Sequence, residues 1–304
     1  MKNENLKVIL FYKFVNIADP EKFVEEHLKY CKNLKTMGRV LVSNEGINGS
    51  ISGTNLQIET YKTYLKSDFR FEGIVFKEDS VIEHPFTKMK VKVRGEIVTF
   101  GEKVDVTKTG KHIEPVDLKK LYDSEEEFIV LDARNYYEYK VGKFKNAIHL
   151  DLKNFRDFPK ELEKLEKYKN KKIVAYCTGG IRCEKATAYM KEKGFSDVMQ
   201  LNEGILNFGK QFPDTYWEGK CFVFDKRLVA PINSEDDTIA SCEVCSKPSD
   251  LCRNCRNLNC DKLLVECLDC QKELNGCCSS ECLIEFREQC MEKAIRKQGR
   301  KIVV

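Results

Sequence analysis

Two groups of residues in this 304-residue chain can do chemistry. The first is the stretch Ile173 to Lys185, IVAYCTGGIRCEK, in which an apolar run ends at Cys177 and is followed by two glycines, Arg182 and Cys183. A cysteine between a strand and a helix faces the helix's unpaired N–H groups and positive dipole end, which together favour an anion. Gly179 and Gly180 let successive amides turn inward and Arg182 adds a positive charge, so a thiolate or persulfide on Cys177 is stabilised. Phosphatases use related physics, but Cys177 to Arg182 is one residue tighter than their usual loop and suits a sulfur-sized anion. Cys183 falls in the first turn of the same helix. It is a resolving thiol for a disulfide or persulfide at Cys177, the persulfide carrier itself, or a packing residue.

The second group is the cysteine-rich tail. Eleven of the fifteen cysteines lie between Cys242 and Cys290, and the two-residue spacings Cys242–Cys245, Cys252–Cys255 and Cys267–Cys270 recur. Two thiolates so spaced grip one tetrahedral ion from a tight turn. No histidine follows His149, so the sites are all-sulfur, and eight ligands make two sites: Cys242, Cys245, Cys255, Cys260, Cys267, Cys270, Cys278 and Cys282, with Cys252 and Cys277 as spares. The knuckles suit structural zinc; an iron–sulfur cluster takes similar ligands.

The flanking elements must position these groups. Residues 6–17 read as a strand and 21–34 as a helix. Residues 38–53 read as two short strands around a Gly/Asn turn, 55–67 as a helix and 70–80 as a strand. That order predicts a ferredoxin-like α+β (acylphosphatase-like) unit over 1–105. From residue 114, strands alternate with helices, including one over DFPKELEKLEKYK, as in a parallel sheet with helices on both faces. The α/β unit spans 114–222 and the cysteine-rich metal-binding module 238–304, after a polar linker from Asn233 to Thr238. Asn44, Glu45 and Asn48 sit in the first unit's turn, and MKVKVRGEIVTFG alternates so that Lys88, Lys90, Lys92 and Arg94 share one face. That face suits a phosphate backbone, as does the basic end Arg287, Lys293, Arg296, Lys297, Arg300 and Lys301.

Composition narrows the class. With 33% charged residues no run reaches the roughly 18–20 apolar residues of a membrane span. The start MKNENLKVILFYKF lacks a cleavable leader pattern, so fifteen cysteines are expected to work as thiols or metal ligands in the cytoplasm.

The string Cys177-Thr178-Gly179-Gly180-Ile181-Arg182 resembles the active-site loop of rhodanese domains. LDARNYYEYKVGKFKNAIHLD resembles their other signature, with Asp132 and Arg134 after the strand, Glu138 in the next turn, and Gly142, Ala147 and Ile148 before the next strand. Asp132 and Arg134 read as structural, bracing the loop beneath the site. With SNEGINGSISG and the cysteine cluster, CTGGIRCEK is similar to the bacterial rhodanese-containing tRNA uridine hydroxylase family over essentially the whole chain. That resemblance implies oxygen-dependent 5-hydroxylation of the wobble uridine, with O2 as co-substrate and a reductant of unspecified class. It implies tRNA, through its anticodon loop, as partner, rather than DNA or a membrane, and a substrate-facing role for Asn44, Glu45 and Asn48 beside Lys90, Lys92 and Arg94. Yet the sequence carries no flavin, haem or two-His-one-carboxylate signature, and His27, His84, His112 and His149 are scattered. Two further readings stay open: a persulfide sulfurtransferase acting through Cys177, and a non-catalytic RNA-binding scaffold.

Overall fold

The computed structural model describes residues 6–301 except 236 and 261, with side chains to residue 292 and at 295. The side chains of Lys293, Arg296, Lys297, Arg300 and Lys301 therefore lie outside the described residues.

The first unit comprises β1 (Leu6–Phe14), α1 (Pro20–Asn33), β2 (Met37–Ser43), β3 (Gly46–Thr54), α2 (Asn55–Lys66), β4 (Phe76–Val81) and β5 (Met89–Val93). Asp19 caps α1 by accepting from Lys22 N, with Pro20 in the first turn, and Thr54 and Gln57 form a reciprocal box at the start of α2. The sheet order is β4-β1-β3-β2-β5, antiparallel except for the β2–β5 edge. Alternate residues Ile9, Phe11, Val40, Val42, Ile47, Ile51 and Val91 pack with Phe23, Ile58, Tyr61 and Leu65 of the helices. Both helices cover that face. The opposite face presents Val8, Leu10, Tyr12, Asn48, Ser50, Arg39, Lys90 and Lys92, following from the two-residue period of a strand. Residues 70–75, expected as strand, differ: Asp68 caps a 3₁₀ turn at Phe69–Phe71, Gly73 is left-handed (φ +71°), and β4 begins only at Phe76.

The central unit contains β6 (Lys111–Ile113), α3 (Pro115–Asp123), β7 (Ile129–Asp132), α4 (Tyr136–Val141), β8 (Gly142–Phe144), β9 (Ile148–His149), α5 (Phe158–Glu161), β10 (Lys172–Tyr176), α6 (Ile181–Glu192), β11 (Asp197–Leu201) and α7 (Gly204–Gln211). The order β6-β11-β10-β7-β9 is parallel throughout. Ile173 and Ala175 enter one core, Val174 and Tyr176 the other, so both faces of β10 are buried. The expected helix over 157–169 is one α turn followed by 3₁₀ helix from Leu162 to Tyr168. Leu162, Leu165 and Tyr168 recur every three residues and face the core, the spacing of a 3₁₀ helix. Residues 136–141, expected as loop, form α4, started by a box between Asn135 and Glu138. The remainder holds short pairs, β12 (Trp217–Gly219) on β8, β13 (Cys221–Phe222) with β14 (Val229–Ala230), and β15 (Cys252–Asn254) with β16 (Leu263–Val265), followed by α8 (Leu268–Glu273) and α9 (Ser280–Lys301).

Candidate active site and metal centres

Cys177 stands at the carboxyl end of central strand β10, and Thr178–Gly180 lead into α6. Gly180 adopts φ +99°, which turns its N–H onto Cys177 Sγ at 3.1 Å. Cys177 O accepts from Ile205 N at 3.0 Å, an approach possible because Gly204 (φ +69°) would otherwise put a Cβ 2.3 Å from that oxygen. Burial alone pushes the Cys177 thiol up. The Cys183 S–H, the Arg182 charge and the amides of Cys183 and Arg182 more than reverse this, and the thiol falls from 9.0 to about 5. Burial and the neighbouring Cys177 instead hold Cys183 well above its usual range. The surroundings thus favour the charged form at Cys177 and the neutral form at Cys183.

Arg182 points its fork at Glu138, Nη1 to Oε2 at 2.6 Å and Nη2 to Oε1 at 2.8 Å, with Nη2 also 3.3 Å from Thr178 Oγ1. Both are buried, and Glu138 keeps Arg182 protonated against desolvation. Beneath the loop, Arg134 grips Asp132 at 2.6–3.1 Å and donates to Gly142 O at 2.6 Å, while Tyr176 Oη donates to Asp132 at 2.6 Å. These fully buried bonds brace the strand end, the role expected from the sequence.

The uncovered face of the N-terminal sheet lies on this loop. A Cβ on Gly179 would meet Leu10 Cδ2 at 2.7 Å, and one on Gly180 would meet Tyr12 Oη at 2.8 Å. Tyr12 Oη donates to Glu184 at 2.9 Å, and Glu184 also meets His112 at 3.3 Å and Gln200 at 3.0 Å. Cys177 is 1% exposed as a result. A cleft of about 1020 Å³ opens where the three units meet, with Arg39, Lys140, Lys153, Lys226 and Lys262 beside Phe86, Tyr136, Tyr137, Phe222 and Phe224. The Arg182 guanidinium lies 5.6 Å from the Phe224 ring centroid. Asp151, Asp225 and Glu243 also line the cleft, and Glu243 pairs with Lys140 and Lys262. Arg39, Lys153 and Lys226 beside the exposed rings of Tyr136 and Phe224 are therefore what can take phosphates and stack unpaired bases.

In the tail, the sulfurs of Cys242, Cys245, Cys267 and Cys270 lie within 4.8 Å of one another, as do those of Cys255, Cys260, Cys278 and Cys282. The separations Cys245–Cys267 (3.6 Å), Cys260–Cys278 (3.7 Å) and Cys278–Cys282 (3.5 Å) are near the roughly 3.8 Å edge of a tetrahedron with metal–sulfur bonds of about 2.3 Å. Either quartet can hold a metal ion. Cys252 and Cys277 are buried in apolar clusters instead.

Residues 6–97 match the UPF0176 acylphosphatase like domain, 114–211 the rhodanese-like domain and 218–283 the rhodanase C-terminal family. A tRNA uridine(34) hydroxylase of Cytophaga hutchinsonii is 43% identical over 282 residues, 92% of this chain and 90% of its own length. Another, from Bacillus licheniformis, is 43% identical over 301 residues, covering 94% and 91%. The chain belongs to the tRNA uridine(34) hydroxylase family.

In this family member the residues expected to face substrate separate into two sets. Asn44 donates to Ile17 O at 3.1 Å and Asn48 to Ile97 O at 2.9 Å. Glu45 accepts from Ile97 N at 2.8 Å and from Lys185 at 2.9 Å; Lys185 is buried and also donates to Glu96 at 2.7 Å. These side chains join the N-terminal turn to α6. Lys88, Lys90, Lys92 and Arg94 are exposed, and Arg39 of the cleft is in register with Lys90. The fold also brings Tyr12, Lys77 and Phe224 against the thiol loop and ties Lys185 of α6 to Glu45, contacts that no local motif announces. Tyr12 and Lys77 carried only a strand's alternation, and nothing local ties them to Cys177. Among the described residues no helix is long and apolar enough to cross a membrane.

Proposed function

We propose that this chain hydroxylates C5 of the wobble uridine of tRNA, with Cys177 as the working thiol. One atom of O2 enters at C5, and the other leaves as water with two protons and two electrons from an external reductant. The observation that carries the reading is the placement of the Cys177 thiolate under the sheet face that continues into the basic, aromatic-lined cleft. Arg182 fixes the loop through Glu138 and supplies positive charge, and Cys183 acts as the resolving thiol. The cleft and the Lys90, Lys92 and Arg94 edge take the anticodon loop, whose wobble base is already unpaired and so costs little to present. Asn44, Glu45 and Asn48 act by positioning the sheet on α6.

The first unit serves as a ferredoxin-like lid, and zinc occupies both cysteine quartets. Closed four-thiolate sites supply folding energy rather than chemistry. A tRNA substrate places the reaction in the cytoplasm. The thiolate cradle also favours a second reading, sulfur transfer through a persulfide on Cys177. The test is nucleoside mass spectrometry of tRNA from cells lacking the gene, complemented with wild type or Cys177→Ala. Hydroxylated uridine restored only by wild type is the expected result. Unchanged hydroxylation with reduced thiolation would establish sulfur transfer instead.

A further inference from the structure

A second, smaller cavity of about 220 Å³ adjoins the cleft. It is below the roughly 300 Å³ at which sites for drug-sized ligands begin, the scale of a single ring. Its walls are Val8, Leu10, Leu206, Val223 and Ile232, with Thr178 of the thiol loop at one side. Phe224 and Asp225 line both this cavity and the larger cleft, so these side chains stand between the two.

One wall group keeps its hydrogen-bond donors unused. Lys77 is 8% exposed, and among the described residues its ammonium has no hydrogen-bond or ion-pair partner; it lies 5.2 Å from the Tyr12 ring centroid. The cavity's other cations are engaged, Arg227 with Asp79 and Asp225 and Lys210 with Glu78 O. Burial lowers the proton affinity of this ammonium, the charges of Glu203, Cys177 and Glu184 partly offset that, and its N–H donors stay open to a ligand in the cavity. A small oxyanion is a poor fit, because the walls are apolar and Glu78, Asp79 and Asp225 also line them. A neutral ring with an acceptor on its edge fits both features.

We propose that this cavity receives the target uracil, with Lys77 donating to O4. The inference rests on the uridine hydroxylase reading and adds its base selectivity: cytosine presents an amino donor where uracil presents O4, and an ammonium facing it is repelled. The same contact leaves Phe224 to stack at the mouth while the flanking phosphates stay in the cleft.

The test is equilibrium binding of full-length protein to anticodon stem-loops carrying uridine, cytidine or an abasic site at the wobble position, at one fixed salt concentration. Wild type is expected to prefer uridine by about tenfold to a hundredfold, the worth of one hydrogen bond to a charged donor. Lys77→Met should bring uridine binding down to the cytidine level, leave the abasic stem-loop unchanged, and leave the unfolding midpoint no lower. Leu206→Phe, which fills the cavity with Lys77 in place, should bring both bases to the abasic level. The proposal is overturned if Lys77→Met keeps the uridine preference or weakens all three stem-loops alike. Equal wild-type affinity for the three overturns the cavity but leaves tRNA as substrate, whereas binding of none overturns the underlying reading too.

Discussion

Replacing Glu138 with Gln removes the charge of the ion pair that holds the thiol loop. It leaves an oxygen that can still accept from Asn135 N at the start of α4. Glu138 is fully buried and Arg182 is 6% exposed, so solvent screens their interaction little. Gln keeps the shape but loses the charge, and its amide NH2 confronts one of the two guanidinium nitrogens now bound at 2.6 and 2.8 Å. Breaking a buried pair costs about 3–5 kcal/mol, and one retained acceptor puts Glu138→Gln near about 3 kcal/mol. With a urea slope of about 1–3 kcal/mol/M the midpoint falls by about 1–3 M. Trp217 is the only tryptophan, is 4% exposed and packs on Phe144 at 5.1 Å, so its fluorescence follows this unit alone. Arg182→Met strands Glu138 in the same way, and the double variant strands neither. It should therefore cost much less than the sum of the singles. A single-variant cost under about 1 kcal/mol, or strict additivity in the cycle, would show that this contact does not hold the loop.

The remaining expectations are independent of that pair. Burial lowers His27 from 6.5 to about 4; its folded pKa is the depressed one, so the unfolded chain binds the proton first as pH falls. Stability is then full above about 6.5 and declines toward 4, by about 2 kcal/mol at pH 5. Urea melts of wild type and His27→Gln at pH 7 and 5 should diverge, and equal pH slopes would contradict the burial argument. The two quartets predict two zinc ions per chain by native mass spectrometry. Cys245→Ser should lower affinity at one site while Cys252→Ser retains two ions; a shared loss in both would refute the partition. Gly204→Ala forces a Cβ to 2.3 Å from Cys177 O at φ +69°, so the Trp217 transition should lose at least about 1–3 kcal/mol from backbone strain. An unchanged midpoint would mean that the loop yields without cost.

What the sequence by itself determined is what a few adjacent residues encode. The thiolate at Cys177 follows from a strand end, two glycines and a helix start within six positions, and the field of a helix terminus acts over one turn. The first quartet follows from two cysteine knuckles that fix ligand distances through short turns, whereas Cys252–Cys255 has the same spacing and only the folded arrangement separates Cys252 from Cys255. The exposed row of Lys90 and Lys92 followed from the pleat. Residues 157–169 were read as helix because apolar spacing of three is shared by both helix types, and only packing on the core chose 3₁₀. Tertiary structure alone decided which sheet face meets the loop. Two helices take one face of the N-terminal sheet, and the other is left to Gly179 and Gly180, where Tyr12 reaches Glu184 across 172 positions. Glu45 becomes a partner of Lys185 rather than a free surface acid for the same reason, 140 positions apart. Such contacts are set by shape and charge between finished surfaces, and no local pattern of residues carries them.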